Sequence, residues 1–144
     1  MNVLLCNGKG GTGKTTLTVL LAYAMAEAGK KVAVLDRDPQ GTATKWIQEC
    51  DGNKVLLYDH GSEYDAVFID TPPRLDSLAR ALASCSIAVI VCSPSPADLW
   101  TTKNTVEEIQ PHLSNRHGCG FCSMACSLIP FWRGSSQTWR SASA

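Results

Sequence analysis

The chain has 144 residues, and its 44% hydrophobic and 18% charged content is typical of one globular domain and excludes a disordered polymer. Its 13 basic and 13 acidic residues cancel, so the overall charge gives no reason to expect a polyanionic partner. No apolar run approaches the roughly 20 residues that span a bilayer, and the N-terminus lacks the features of a signal peptide, which predicts a cytoplasmic protein without a membrane partner.

The predicted elements alternate between strands and helices as far as residue 109. In chain order they are a strand at 2–6, a helix at 14–28, a strand at 32–36, a short helix at 41–50, a weak strand at 54–58, a strand at 66–70, a helix at 75–83, a strand at 87–92 and a helix at 98–109. This alternation predicts an α/β fold with a mainly parallel sheet that helices cover on both faces. Ligands of such sheets bind beyond the carboxyl ends of the strands.

A glycine-rich segment separates the first predicted strand from the first predicted helix. It reads G-K-G-G-T-G-K-T from Gly8 to Thr15 and satisfies the phosphate-binding pattern G-x-x-x-x-G-K-[ST] in the required strand–loop–helix context. Its glycines allow backbone N–H groups to point at a phosphate chain, and the helix N-terminus adds the positive end of its dipole. A merely flexible loop is the less favoured alternative. The predicted nucleotide-binding residues are Gly8, Lys9, Gly10, Gly11, Thr12, Gly13, Lys14, Thr15 and Thr16.

Three acidic residues follow later strands at the same predicted edge of the sheet. Asp36 ends the second strand, Asp38 follows it in the turn D-P-Q-G, and Asp70 ends the strand A-V-F-I-D. A carboxylate beside Mg²⁺ can hold the metal through water or orient the attacking water. Taken alone, the first two acids fit a plain turn equally well, and Asp70 also fits a turn or a helix cap. The nearby glycine-rich loop favours the metal role for Asp70.

Three segments together resemble a known family. K-G-G-T-G-K-T-T at 9–16, D-R-D-P-Q-G-T-A-T at 36–44 and F-I-D-T-P-P at 68–73 are similar to the deviant Walker A, A′ and B motifs of ParA-type partition ATPases, which are related to the MinD-type cell-division regulators. The resemblance covers about residues 1–110 and includes P-S-P-A-D-L-W at 94–100, which is similar to the family's proline-containing loop.

The resemblance implies a P-loop NTPase fold, ATP and Mg²⁺ as cofactors, and a homodimer that sandwiches two ATP molecules. In this family the first lysine, here Lys9, crosses to the partner subunit and contacts the phosphates of its nucleotide. Asp38 is then the residue that positions water, and Asp36 is a supporting acid near the metal. A DNA-bound ParB-type adaptor, nonspecific DNA and association with the nucleoid are also implied. The predicted catalytic residues are Lys9, Lys14 and Asp38, and the predicted metal ligands are Thr15, Asp36 and Asp70.

Other functions remain open at this point. A MinD-like cell-division regulator would share the motifs, although D-P-Q-G favours the partition branch and residues 131–144 show no apolar stripe of a membrane-binding helix. A truncated, non-catalytic remnant or interaction module would keep the glycine-rich loop only as a structural unit. Nitrogenase iron proteins share the lysine-bearing loop, but Cys85 and Cys92 do not match their cluster cysteines.

The composition changes after residue 110, where the resemblance ends. Residues 111–144 are rich in Ser, Cys, Trp and Arg, contain no Asp or Glu, and show neither helical nor strand periodicity, so we expect an irregular segment. It fits a metal-binding appendage of His117, Cys119, Cys122 and Cys126, an arginine contact to lipid or DNA, or a shifted reading frame that replaces the family's C-terminal part. We favour the shifted frame, which would leave an incomplete P-loop domain at 1–110 that binds nucleotide poorly or folds marginally.

Overall fold

A computed structural model of the protein describes residues 1–50, 54–74, 78–93, 95–112 and 118–123, without the side chains at 79 and 118–123. Six strands and four α-helices lie within these ranges, together with a short 3₁₀ helix at Gln110–His112. The strands are β1 (Asn2–Cys6), β2 (Val32–Asp36), β3 (Val55–Leu57), β4 (Ala66–Asp70), β5 (Ile87–Cys92) and β6 (Gly118–Ser123). The helices are α1 (Lys14–Glu27), α2 (Thr42–Glu49), α3 (Leu78–Leu82) and α4 (Pro96–Ile109).

The six strands form one parallel sheet in the order β3-β2-β4-β1-β5-β6. The predicted α/β fold with a mainly parallel sheet is therefore confirmed. Register brings the polar strand ends together, because Asp70 pairs with Leu5 of β1 on one side and with Asp36 of β2 on the other. The loop that follows β1 thus lies at the same edge of the sheet as both acids.

Helices cover both faces of the sheet because the strand side chains alternate between two apolar layers. In β1, Val3 and Leu5 contribute to the core layer beneath α1 and α2, whereas Leu4 and Cys6 contribute to the layer beneath α3 and α4. β1 is buried on both sides, which explains why its sequence is a continuous apolar run rather than an alternating one.

The predicted elements up to residue 109 match the structure closely. Strands at 2–6, 32–36, 66–70 and 87–92 have the predicted bounds, and the first part of the predicted helix at 75–83 lies outside the described residues. The last helix begins earlier than predicted, at Pro96, because Ser95 caps it by accepting the N–H of Asp98 at 3.2 Å. None of the helices in these ranges is both long and apolar enough to cross a bilayer.

β6 is an element that the sequence pattern does not predict. It pairs in parallel with the whole length of β5, from Ile87 opposite Gly118 to Cys92 opposite Ser123. Its sequence G-C-G-F-C-S has two glycines and no β-branched residue, so its local propensity for strand is low. This strand forms because its backbone can hydrogen-bond to the edge of β5, so its formation depends on the neighbouring strand.

The predicted cysteine cluster falls mostly outside the described residues. His117 and Cys126 lie outside them, and Cys119 and Cys122 are described only as backbone positions of β6. The metal-binding hypothesis for this cluster therefore stays a prediction. The same holds for the shifted reading frame and for a boundary near residue 110, because residues 124–144 also lie outside the description.

Candidate functional site

A cleft of about 330 Å³ opens at the carboxyl edge of the sheet, above the ends of β1 and β4. The glycine-rich loop forms one wall. Gly11 and Gly13 have φ angles of 74° and 91°, in the left-handed region that favours glycine, and these angles turn the chain from β1 into α1. The residues that line the cleft are Gly10, Gly11, Gly13, Lys14, Thr15, Thr16, Asp38, Thr71 and Pro73.

The N-terminus of α1 faces this cleft with features that suit an anion. Gly13, the residue before the helix, has no side chain to cap it, and the first turn contains no acidic residue. The first N–H groups of a helix have no partner within the helix, and the helix dipole adds positive charge there. In addition, the buried hydroxyl of Thr12 has no hydrogen-bond partner within the described part of the chain. The loop therefore fits the phosphate chain of a nucleotide.

Lys14 is a buried cation in the wall of the cleft, with only 5% of its surface exposed. Its Nζ donates a hydrogen bond to the backbone oxygen of Lys9 at 2.9 Å. Burial lowers the pKa of Lys14 below its ordinary value, although the negative charges of Asp70 and Asp38 oppose this shift. An anion bound in the cleft would compensate the buried positive charge.

Asp70 is a fully buried acid at the end of β4. Its Oδ2 accepts a hydrogen bond from the Thr15 hydroxyl at 2.7 Å. Burial raises the pKa of Asp70 to about 6, and the charges of Asp36 and Asp38 add to this rise, whereas Thr15 and Lys14 oppose it. A divalent cation would favour the charged carboxylate, and the paired hydroxyl and carboxylate oxygens are donors that Mg²⁺ prefers. These residues therefore fit a magnesium ion.

The two acids that follow β2 have different surroundings. Asp38 is half-buried and lines the cleft. Asp36 instead binds the start of α2, because its Oδ2 accepts from the N–H and the hydroxyl of Thr44 at 2.9 and 3.1 Å. Its Oδ1 accepts the N–H of Asp38 at 3.0 Å. Both oxygens of Asp36 thus have partners within the protein, and its role as a metal ligand stays a prediction.

Lys9 lies outside the lining of the cleft, although it belongs to the glycine-rich loop. Its ammonium forms an ion pair with Asp98 near the start of α4 in the same chain. The Lys9 side chain is 42% exposed and that of Asp98 only 7%, so a buried carboxylate holds a partly exposed cation. Gly8 and Thr12 are the two other predicted nucleotide-binding residues that do not line the cleft.

Several residues that build the site have no role among the sequence-based predictions. Thr71 and Pro73 line the cleft, and the Thr71 hydroxyl donates to the backbone oxygen of Leu5 at 2.9 Å. Both follow Asp70 in the segment F-I-D-T-P-P, and this position beside the acid is the sequence feature that could have identified them as site residues. Asn7 and Thr105 contact the glycine-rich loop from outside the cleft.

The match to known proteins agrees with this geometry. Residues 3–118 match the family model described as "CbiA: CobQ/CobB/MinD/ParA nucleotide binding domain". The chain belongs to this family. The predicted ParA/MinD resemblance is therefore confirmed, and the match extends beyond residue 110, where the resemblance in the sequence ended.

Individual relatives of this CobQ/CobB/MinD/ParA domain include proteins with different tasks. "Maintenance of carboxysome distribution protein A" of Gloeobacter kilaueensis is 38% identical over 120 residues, which are 72% of this chain and 54% of that protein. A plasmid partition protein of Borrelia burgdorferi bound to AMPPNP has a TM-score of 0.74 at 15% identity, covering 94% of this chain and 80% of that one. Cobyrinic acid a,c-diamide synthase of Mycobacterium smegmatis, with an ATP analogue and magnesium, has a TM-score of 0.66 at 17% identity. The match covers 85% of this chain and 71% of that one.

The structural matches are below 25% identity and show the fold alone. The chain spans about half the length of the curated relatives that it matches first.

Proposed function

We propose that the chain is the nucleotide-binding part of a Mg²⁺-dependent ATPase of the ParA type. One observation carries the proposal: the Thr15 hydroxyl and the Asp70 carboxylate lie 2.7 Å apart beside a cleft that also exposes the glycine-rich loop. Phosphate-binding amides, a buried lysine and an oxygen pair for a divalent cation are the parts that phosphoryl transfer requires.

Each residue of the cleft has a task in this proposal. Lys14 and the loop amides bind the phosphates, Thr15 ligates the metal, and Asp70 holds it directly or through water. Asp38, which also lines the cleft, orients the attacking water. Asp36 supports Asp38 by accepting its N–H, and its predicted place near the metal remains part of the proposal. Bound magnesium would neutralise charge that develops on the phosphoryl oxygens.

Nucleotide binding by the purified chain is the first test. We expect calorimetry to detect binding of ATP to the chain in the presence of Mg²⁺. The affinity for ATP should fall at least tenfold when EDTA removes the metal, because the charge of Asp70 then repels the phosphates. Adding Mg²⁺ back is the control and should restore the affinity. Equal affinity with and without the metal would contradict the magnesium site.

The proposal extends to an ATP-dependent homodimer in which Lys9 reaches the nucleotide of the partner subunit. Lys9 is suited to this because it is only partly buried and lies outside the lining of its own cleft. It would have to leave Asp98, and the phosphates of the partner's nucleotide are the stronger anion. A cation inserted in this way stabilises charge much as an arginine finger does.

For Lys9→Ala we expect loss of ATP-dependent dimerisation with nucleotide affinity within about threefold of wild type. Analytical ultracentrifugation with a non-hydrolysable ATP analogue measures the first quantity, and calorimetry measures the second. Lys103→Ala, at an exposed lysine of α4, is the matched control and should dimerise normally. If Lys9→Ala still dimerises on nucleotide, the trans role is wrong.

The cellular task proposed is the positioning of a cargo, with plasmid or chromosome partition as the favoured case. Relatives named for carboxysome distribution and for plasmid partition support a positioning task. In this proposal the dimer binds nonspecific DNA and a DNA-bound ParB-type adaptor stimulates hydrolysis. A gel-shift assay with plasmid DNA, with ATP and without it, tests the DNA contact.

A second candidate is a non-catalytic nucleotide-binding module. It is favoured by one observation, that both carboxylate oxygens of Asp36 already have hydrogen-bond partners within the protein, although Asp36 is one of the predicted metal ligands. Binding of ATP and Mg²⁺ without turnover above background would support this candidate over the enzyme.

A further inference from the structure

Asn7, the residue between β1 and the glycine-rich loop, joins three elements through its side-chain amide. Its Nδ2 donates to the backbone oxygen of Val91 in β5 at 2.8 Å and to the Thr102 hydroxyl in α4 at 3.1 Å. Its Oδ1 accepts the N–H of Lys9 at 2.9 Å and the Thr105 hydroxyl at 3.3 Å. The side chain is fully buried, and both of its polar atoms have hydrogen-bond partners within the protein.

Thr105 contacts the loop directly from the buried face of α4. Its Oγ1 accepts the N–H of Gly8 at 3.1 Å. The single hydroxyl proton has two acceptors within reach, the backbone oxygen of Thr101 at 3.0 Å and Oδ1 of Asn7 at 3.3 Å. Whichever of these accepts the proton, the Thr105 hydroxyl oxygen still has a lone pair that accepts the Gly8 N–H.

These contacts belong to one polar stripe of α4. Asp98, Thr102 and Thr105 follow each other at spacings of four and three residues, so they lie on the same face of the helix. All three are buried, and the Thr102 hydroxyl donates to the backbone oxygen of Asp98 at 2.7 Å. The stripe meets the start of the loop, because Asp98 also holds the Lys9 ammonium.

The hydrogen bonds divide the glycine-rich loop into two parts. The N–H groups of Gly8 and Lys9 are bound by Thr105 and Asn7 and are not free for a phosphate. The cleft lining correspondingly begins at Gly10. Residues 7–9 are therefore an anchored stem, and residues 10–16 are the part that faces the cleft.

We propose that Asn7 and Thr105 are positioning residues for phosphate binding. They fasten the stem of the loop to α4 and β5, and thereby determine where the free N–H groups from Gly10 onward stand relative to Lys14. This inference rests on the proposed nucleotide binding. Neither residue lines the cleft, so each acts through the backbone of Gly8 and Lys9.

Two substitutions at position 105 separate the hydroxyl from the packing. Thr105→Val keeps the shape of the side chain but leaves the partly buried Gly8 N–H without its acceptor. We expect the dissociation constant of ATP with Mg²⁺ to rise about tenfold, which corresponds to about 1.4 kcal/mol. Thr105→Ser keeps the hydroxyl and loses a methyl group, and we expect it to stay within about twofold of wild type, as measured by calorimetry.

Thr101→Val is the matched control on the same helix. The Thr101 hydroxyl donates to the backbone oxygen of Ala97 within α4 at 3.1 Å rather than to the loop. We expect wild-type affinity for this variant. If Thr105→Val binds ATP as tightly as Thr101→Val does, the positioning role is overturned.

Amide hydrogen exchange without nucleotide tests the anchored stem independently of ATP. We expect slow exchange at Gly8 and Lys9 in the wild-type chain, and at least tenfold faster exchange at Gly8 in Thr105→Val, with Val19 and Ala22 of α1 unchanged. Fast exchange at both stem amides in the wild type overturns the inference, even if Thr105→Val fails to fold. If the wild type binds no ATP, the proposed function fails and the positioning role fails with it, whereas the exchange measurement still decides whether the stem is anchored.

Discussion

Replacing Lys14 with alanine is expected to lower ATP affinity and ATP turnover at least a hundredfold, to the background of the assay. Lys14 is a buried cation in the wall of the cleft, and its ammonium is the group there that can balance phosphate charge in a site removed from bulk water. A hundredfold loss corresponds to about 3 kcal/mol of binding free energy. Calorimetry with ATP and Mg²⁺ and a phosphate-release assay measure the two quantities.

The loss should not come from unfolding. Burial lowers the pKa of Lys14, which means that its positive charge costs folding free energy near neutral pH. The alanine variant without nucleotide is therefore expected to have a melting temperature at or above that of the wild type.

Lys30→Ala is the matched control for this experiment, since Lys30 is exposed and precedes β2 at the opposite edge of the sheet. It should bind and turn over ATP as the wild type does. Identical turnover in the wild type and Lys14→Ala would defeat the enzyme proposal.

Asp70→Asn is expected to make the nucleotide-free protein more stable above pH 6 and to abolish its stabilisation by Mg²⁺ and ATP. The pKa of Asp70 is raised from 3.8 to about 6, mainly because the carboxylate is buried. The folded protein therefore holds this proton more tightly than the unfolded chain does. As pH rises from about 4 through 6, the free energy of unfolding falls by about 3 kcal/mol and then levels off.

The asparagine variant has no proton to lose at this position, so the fall in the free energy of unfolding between about pH 4 and 6 should disappear. Urea unfolding at several values between pH 4 and 8 measures the difference, with Glu49→Gln as a control at an exposed acid of α2. In the wild type, Mg²⁺ and ATP should restore stability above pH 6, where the carboxylate is charged and available to the metal. If the free energy of unfolding changes with pH in the same way in the wild type and in Asp70→Asn, the buried charge of Asp70 does not cause the fall in stability.

Much of the fold could be predicted because its signals lie within short stretches of sequence. Continuous apolar runs such as 2–6 and 66–70 mark strands that are buried on both faces of a sheet. The glycine-rich loop could be recognised because the turn into α1 requires positive φ at Gly11 and Gly13. The meeting of this loop with Asp70 followed from the rule that the ends of parallel strands share one edge.

Other features depend on contacts that the local sequence pattern does not encode. Whether Asp36 faces a metal or binds α2 depends on how the turn after β2 places Thr44, and both options fit the sequence. β6 forms because the edge of β5 offers hydrogen bonds, although its own residues have low strand propensity.

The sequence by itself determined the glycine-rich loop, the acids beside it and the parallel α/β sheet, because each depends on neighbouring residues or on a general rule of sheet topology. Only the tertiary structure decided what holds the loop in place. β1 lies between β4 and β5, so the helix that follows β5 lies against the loop that follows β1. That strand order brings Asp98 to Lys9 and Thr105 to Gly8 across 89 and 97 residues, and no local pattern encodes which strands become neighbours.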